Sequence, residues 1–372
     1  MKNIIKGCVF FLCLLGCISC SQTTDKKEIN TSQVININTR NLADFQISEI
    51  ADFHSIIPLE TTDESLIGKI SKVFINDSLI VIFDDKINNI LVFDTDGNYK
   101  YKIGKKGNAP GEYIMINDIY LNMEKGTVQL SDGITKLIQT YDLEGNFITS
   151  SKQLEHTFMA FHPFDQGYWG LIHYQDAKKN NLVLTDTELK IKERYFPKKE
   201  QLPFVPVNYF VENEKKEVFF HTPYDNTLYK ITADAIQPFL TFLFDEKDIK
   251  VENIKDRKNP FVDTPLLHDV YLHGKHLLLN FSVPLENDKF MVYNVYLSMD
   301  NMHPIVFKTY TGFSKEVPVS PLPSIVDLSD GKLIFQIVPE MLPESLFGNF
   351  KNTSLKDLTS ESNPVLVLYK LH

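Results

Sequence analysis

The sequence predicts an all-β fold: a six-bladed β-propeller of four-stranded antiparallel blades, its ring closed by N- and C-terminal strands. Three observations carry this. Short runs rich in Val, Ile and aromatic residues, bounded by Gly, Asn, Asp and Pro, recur along the chain, and long helical periodicity is absent from most of it. One unit, residues 70–104, divides into four strands, the size of one propeller blade at about 40 residues. The same unit then returns, with Asp94 and Asp142 as equivalents 48 residues apart.

In the first unit the strands read ISKVFIN, LIVIFDD, NILVFDTDG and YKYKIG. Asn76-Asp77 and Asp84-Asp85 punctuate them, and Asp96-Gly97 marks a tight turn because glycine accepts positive φ without strain. In the second, INDIYLN, TVQLSDG, KLIQTYDLEG and NFITSS follow in the same order. Weaker echoes lie around Asp186, Thr232 and Ser298, and NPVLVLYKLH at the C-terminus belongs to a sixth blade. That blade lacks an outer strand, which either Phe53–Leu59 or Val34–Thr39 can supply from the N-terminus. Pairing the chain's two ends removes the open sheet edges that invite aggregation. Two β-sandwich domains are the alternative, and nothing near the middle of the chain resembles a linker between them.

The N-terminus follows the export pattern: Lys2 and Lys6 are basic, residues 8–16 are apolar, and small residues flank the candidate cleavage points. The apolar run is far shorter than the roughly 20 residues that span a bilayer. All four cysteines (Cys8, Cys13, Cys17, Cys20) lie in this segment, so the rest of the chain has no thiol for a disulfide, a metal-thiolate site or a nucleophile. Cys17 and Cys20 each follow a small residue, as lipid attachment requires. Cys20 leads directly into a polar Ser21-Gln22-Thr23-Thr24 tether, which favours it over Cys17. The predicted organisation is a lipoprotein signal peptide over 1–20, a tether and N-terminal segment over 21–50, and the propeller over 51–372. Localisation at the cell envelope, lipid-anchored in the outer membrane, is the corresponding expectation.

A formal charge of -10 without a basic stripe excludes nucleic acid as the natural partner. No Gly-x-Ser-x-Gly elbow or His-Glu-x-x-His helix occurs, and no cofactor is predicted. The glycine-rich stretch Gly104 to Gly111 fits neither phosphate-binding spacing, and reads as a crossover between blades. Asp94-x-Asp96-Gly97-Asn98 lacks the glycine at position six and the acid at position twelve of a calcium loop, so it reads as a hairpin turn. His273 and His276 flank a predicted hairpin with no third ligand nearby, which argues against a metal. Tyr168, Trp169, His173 and Tyr174 form an aromatic cluster that fits packing between blades better than a ligand platform.

Residues 93–98 followed by Ile103 to Tyr113 resemble the NHL-repeat pattern, and more closely the six-bladed β-propeller lipoproteins of uncharacterised function. Pro58-Leu59-Glu60 and Ser65-Leu66-Ile67-Gly68 have counterparts in that family. The resemblance covers residues 57–146 and implies fold and location rather than activity.

One constellation follows from the repeat. Asn117-Asp118-Ile119-Tyr120-Leu121 and His268-Asp269-Val270-Tyr271-Leu272 open the innermost strands of blades two and five, which are opposite in a six-membered ring. Asp118 and Asp269 are therefore expected to face the central channel, with Lys72, Asn208 and Ser324 at the equivalent places in blades one, four and six. These five are the candidate ligand-binding residues. Replacing both aspartates by alanine is expected to abolish binding with little change in melting temperature. Two stretches, residues 245–263 and 340–363, lengthen the repeat and are candidate recognition loops. The predicted function is a non-catalytic binding or scaffolding module for a protein, peptide or glycan. A lyase or hydrolase using the channel carboxylates on an envelope polymer is the rival, and a purely assembly role in an envelope complex a third reading.

Overall fold

Runs such as Leu79–Asp84 and Asn89–Asp94 are apolar on both faces, so each needs a partner layer on either side. A ring of blades meets this demand, because the middle strands of every blade are covered by two neighbours. The computed structural model describes residues 32–172, 180–197, 208–244, 265–284, 290–310, 325–342 and 358–372. The lipidation candidates Cys17 and Cys20, the signal peptide, His173, Tyr174, Ser324 and residues 245–263 lie outside them, as does most of 340–363.

The described residues form six sheets in chain order. Blade 1 comprises Ile70–Ile75, Leu79–Asp84, Asn89–Asp94 and Tyr99–Lys102, each antiparallel to the next. Blade 2 repeats it with Ile116–Asn122, Thr127–Asp132, Ile138–Asp142 and Phe147–Ser150. Blades 3, 4 and 5 begin with the innermost strands Phe158–Phe164, Phe210–Glu212 and Leu266–His273. Blade 6 has Ile325–Ser329, Lys332–Ile337 and Val365–Leu371 from the C-terminal part of the chain.

Of the two candidate closing strands, the structure uses Ala51–Pro58, which pairs antiparallel with Val365–Leu371 from Ala51 opposite Leu371 to Pro58 opposite Val365. The earlier segment has a different partner. Gln33–Ile37 runs parallel to Ile236–Phe244 and gives blade 4 a fifth strand. Between them the chain crosses blade 5: Ala43 donates its N–H to the Val306 carbonyl, and the Phe45 ring stacks on Phe307 at 4.4 Å. Residues 33–58 thus belt three blades before the ring begins. Asn363 latches the closure, its side chain accepting from Ile67 N–H at 2.9 Å and donating to the carbonyls of Glu60 and Ser65.

The core is distributed over the seams. Buried clusters lie between blades 1 and 2, 2 and 3, 3 and 4, 4 and 5, 5 and 6, and 6 and 1. Two separate sandwiches would instead have two cores. Trp169 is fully buried at the seam of blades 3 and 4, donating its indole N–H to the Thr232 carbonyl at 2.7 Å, and so packs rather than binds.

Turn chemistry explains why the later repeats read faintly. Asp94 accepts the N–H groups of Asp96 and Asn98 with Gly97 at φ 89°, and Asp142 with Gly145 at φ 90° repeats the arrangement. In blade 3 Asp186 accepts from Glu188 and Lys190, but Leu189 occupies the left-handed position at φ 63°. A non-glycine residue there costs about 1 kcal/mol and hides the repeat from a search for glycine.

Candidate functional site

A β-bulge near the start of the innermost strand sets the channel lining. Pairing skips one residue between Ile70 and Lys72, Ile116 and Asp118, Phe158 and Ala160, and Ile325 and Asp327, and skips two between Leu267 and Val270. An extra residue breaks strict alternation, so the bulged residue and the next both reach the channel. Ser71 with Lys72, Asn117 with Asp118, Met159 with Ala160 and Val326 with Asp327 all line one cavity of about 550 Å³ at the end where these strands begin.

Lys72, Asp118, Asn208 and Asp269 all line this cavity, as the repeat implied. Ser324 lies outside the described residues, and the bulge register places Asp327 at the position of Lys72 and Asp118 in blade 6. Sequence reasoning missed Asp327, although Ile325-Val326-Asp327 matches Ile116-Asn117-Asp118, Ile70-Ser71-Lys72 and Leu267-His268-Asp269. Blade 3 departs with Ala160.

The carboxylates do unequal work. Asp118 is 5% exposed; its Oδ1 meets Lys72 Nζ at 2.6 Å and accepts Ile119 N–H at 2.9 Å, while Oδ2 accepts Phe161 N–H at 3.0 Å. It therefore ties blades 1, 2 and 3 together. Its removal takes the carboxylate from a cation and two N–H groups, so a stability cost is expected where the sequence reading expected none. Asp327 does similar work at the closure, accepting Val73 N–H at 3.0 Å and Leu328 N–H at 2.8 Å. Burial pushes its carboxyl up to about 6, outweighing those hydrogen bonds and the attraction of Lys72.

Asp269 differs. Its Oδ1 accepts Asn208 N–H at 3.1 Å, and the Asn280 side chain also hydrogen-bonds the carboxylate. Burial raises its carboxyl above the ordinary range, against the Asn208 hydrogen bond and the neighbouring His268. His268 shares a hydrogen bond with Ser282 at 2.8 Å, and burial lowers its imidazole, which favours the neutral ring.

A second cavity of about 460 Å³ opens at the other end of the channel and shares Lys72, Asn208, Phe210, Tyr271 and Asp327 with the first. Those residues form a waist. At this end Glu212 meets His162 Nε2 at 3.1 Å and Lys216 Nζ at 2.9 Å, and accepts the Tyr120 hydroxyl at 3.3 Å. Burial opposes ionisation, but His162 and Lys216 prevail and hold the carboxyl down at about 2 against an ordinary 4.5. No sequence signal marks this group, because its members come from blades 2, 3 and 4.

The linkage has a definite sign. A folded-state pKa below the unfolded one means the unfolded chain takes up the proton first. Glu212 therefore contributes about 3 kcal/mol above pH 4.5, lost progressively as pH falls towards about 2. Asp327 acts oppositely: its contribution is largest in acid and is lost as pH rises from 3.8 to about 6. In urea unfolding, the stability gap between wild type and Glu212→Gln is expected to be full at pH 6 and to close by pH 2 to 3. A gap independent of pH refutes the assignment.

The remaining motifs are structural. Glu112 holds the glycine-rich crossover by accepting Ala109 N–H at 3.0 Å and pairing with Lys105 at 3.2 Å. His276 is buried between Tyr296 and the His372 carbonyl, while His273 pairs with Glu214 at 3.8 Å. No group of three His, Cys, Asp or Glu side chains among the described residues is arranged to hold a metal.

Comparison with solved structures returns the same architecture. A Bacteroides fragilis protein described as exported is 18% identical with a TM-score of 0.73, covering 91% of this chain and 100% of its own. A Bacteroides vulgatus member of the DUF4221 family is 9% identical with a TM-score of 0.55, covering 87% of this chain and 98% of its own. At these identities the likeness is one of fold. No curated protein matches the chain. The model of the domain of unknown function DUF4934 matches residues 32–370, nearly the whole described ring, and the chain belongs to that family.

Proposed function

We propose that this chain is a non-catalytic binding propeller of the cell envelope, anchored by lipid on Cys20 or Cys17, that takes a protein, peptide or glycan ligand at the channel mouth where the innermost strands begin. The observation that carries the reading is the cavity of about 550 Å³ to which all six blades contribute, through Lys72, Asp118, Ala160, Asn208, Asp269 and Asp327. A concave site with a few convergent polar groups on a rigid scaffold is the usual form of a binding site. The use of the acids also supports binding over chemistry. Asp118 and Asp327 each receive backbone N–H groups on both carboxylate oxygens, which fits a role in holding neighbouring blades in register. The export pattern and the exported structural relative support the envelope location.

The test is capture from solubilised envelopes with the lipidated full-length chain, beside a mouth-filled Val338→Trp/Met341→Trp variant. Both residues line the cavity and are more than 40% exposed, so the ring has no need of them. A ligand identified by mass spectrometry is expected to bind the purified wild type and to be lost by the variant. Equal capture by both overturns the mouth as the site, and turnover of the captured material overturns the non-catalytic reading. Lipid labelling lost in Cys20→Ser or Cys17→Ser identifies the anchor, and labelling in neither removes it.

A further inference from the structure

Past Cys20 the chain has no thiol, so methionine is the sulfur that an oxidant meets. Two of the seven methionines among the described residues are exposed, Met341 at 52% and Met115 at 42%, and both stand at the channel mouth where the innermost strands begin. The backbone holds them there. Pro339 and Leu342 are buried on either side of the short turn Pro339–Met341, which leaves Met341 outward on the cavity beside Val338. Met115 immediately precedes the buried Ile116, and its backbone is fixed by Asp132 Oδ1 on its N–H at 3.4 Å and by Gly133 N–H on its carbonyl at 2.7 Å.

The other methionines are shielded. Met159 lines the same cavity but is half-buried, and its Sδ accepts the Asn117 side-chain N–H at 3.6 Å through the electrons an oxidant would attack. Met123 packs against the seam of blades 1 and 2, and Met299 and Met302 against that of blades 4 and 5. Thioether oxidation follows exposure. The two methionines open to it are therefore two of the side chains that make this rim apolar, together with Val338 at 43% and Ile134 at 56% exposure.

We propose that Met341 and Met115 are modification sites, each taking one oxygen from hydrogen peroxide, and that their sulfoxides switch the channel mouth from apolar to polar. This rests on the reading that the mouth binds a ligand, and adds the regulation of that binding. The thioether sulfur attacks one peroxide oxygen, the O–O bond breaks, and the proton on the transferred oxygen passes to the departing one. Sulfoxide and water form, the sulfur oxidised by two electrons and the peroxide reduced by two. A flexible thioether that moulds to an apolar surface becomes a polar group that such a surface must desolvate.

The experiment treats the folded full-length protein with hydrogen peroxide and follows each methionine by peptide mass spectrometry. Met341 and Met115 are expected to gain oxygen about tenfold faster than Met159, Met123, Met299 or Met302, and methionine sulfoxide reductases to remove it. The neutral dye N-phenyl-1-naphthylamine probes the rim. Its fluorescence with the wild type is expected to fall about threefold on oxidation and to recover on enzymatic reduction. Met115→Leu/Met341→Leu keeps apolar side chains of similar volume without sulfur, and peroxide is expected to leave its dye signal where it stood before treatment. Rim methionines that oxidise no faster than the shielded ones, a wild-type dye signal that oxidation does not lower, or an equal loss in the leucine variant overturns the proposal. If a ligand captured at the mouth binds oxidised and untreated protein equally, this inference falls and the binding reading stands. If the rim methionines oxidise first and switch the dye while capture ignores the mouth, the modification sites stand and that reading falls.

Discussion

Asp118→Ala is expected to lower the unfolding free energy by about 3 kcal/mol, an effect to be read as a lower urea midpoint at unchanged slope. The side chain is 5% exposed and engages three groups from three consecutive blades: Lys72 Nζ, Ile119 N–H and Phe161 N–H. Alanine leaves an ammonium that is 23% exposed with only the Ile119 carbonyl, and takes the carboxylate acceptor from the Ile119 and Phe161 amides. An orphaned buried polar group costs about 1 to 3 kcal/mol, and breaking a buried ion pair from one side costs somewhat more. Asp118→Asn, which retains one acceptor, is expected to lose roughly half as much. A midpoint within error of wild type refutes the role of Asp118 as a tie between blades.

Removal of residues 32–59 is expected to abolish the cooperative folded state altogether. The segment carries seven large buried apolar side chains, Ile35, Ile37, Phe45, Ile47, Ile50, Ile57 and Leu59. At about 2 kcal/mol each, discounted for residual burial in the unfolded chain, they supply on the order of 10 kcal/mol, comparable to the whole stability of an ordinary domain. The loss also bares Val365–Leu371, whose side chains are buried except for Lys370, as an open apolar edge. Aggregation in gel filtration and a featureless thermal scan are the expected readouts. Co-refolding with a peptide of residues 32–60 is expected to restore the transition, because closure requires pairing rather than covalent continuity. A truncated monomer that melts near the intact protein refutes this account.

Much of the architecture was legible because it rests on local chemistry. Asp94 to Asn98 and Asp142 to Asn146 form the same side-chain-capped turn, so blades 1 and 2 could be read strand by strand. Leu189 at the left-handed position and the shortened Phe210–Glu212 strand depart from that chemistry, and there the repeat dimmed. The channel residues were legible to the same extent. Lys72, Asp118 and Asp269 follow from the shared opening of the innermost strands, whereas in blade 6 the place was given to Ser324, three positions before Asp327, although Ile325-Val326-Asp327 repeats that opening.

The Glu212 group had no such signal. Its partners His162, Lys216 and Tyr120 come from three blades, and no spacing along the chain encodes a distance across a seam. The same limit applied to the N-terminal strands. Alternation identified both Val34–Thr39 and Phe53–Leu59 as strand-forming, but each has an apolar face and a free edge, and either satisfies the same pattern.

Periodicity, turn residues and the position of the cysteines were enough to determine an all-β ring of six blades and to put polar side chains on its channel, because these depend on interactions within a few residues. Only the folded ring decided that Ala51–Pro58 closes blade 6 while Gln33–Ile37 joins blade 4, and that Asp118 engages groups from three blades. Those outcomes are settled by which groups meet across seams, where burial and hydrogen-bond satisfaction act between residues far apart in the chain.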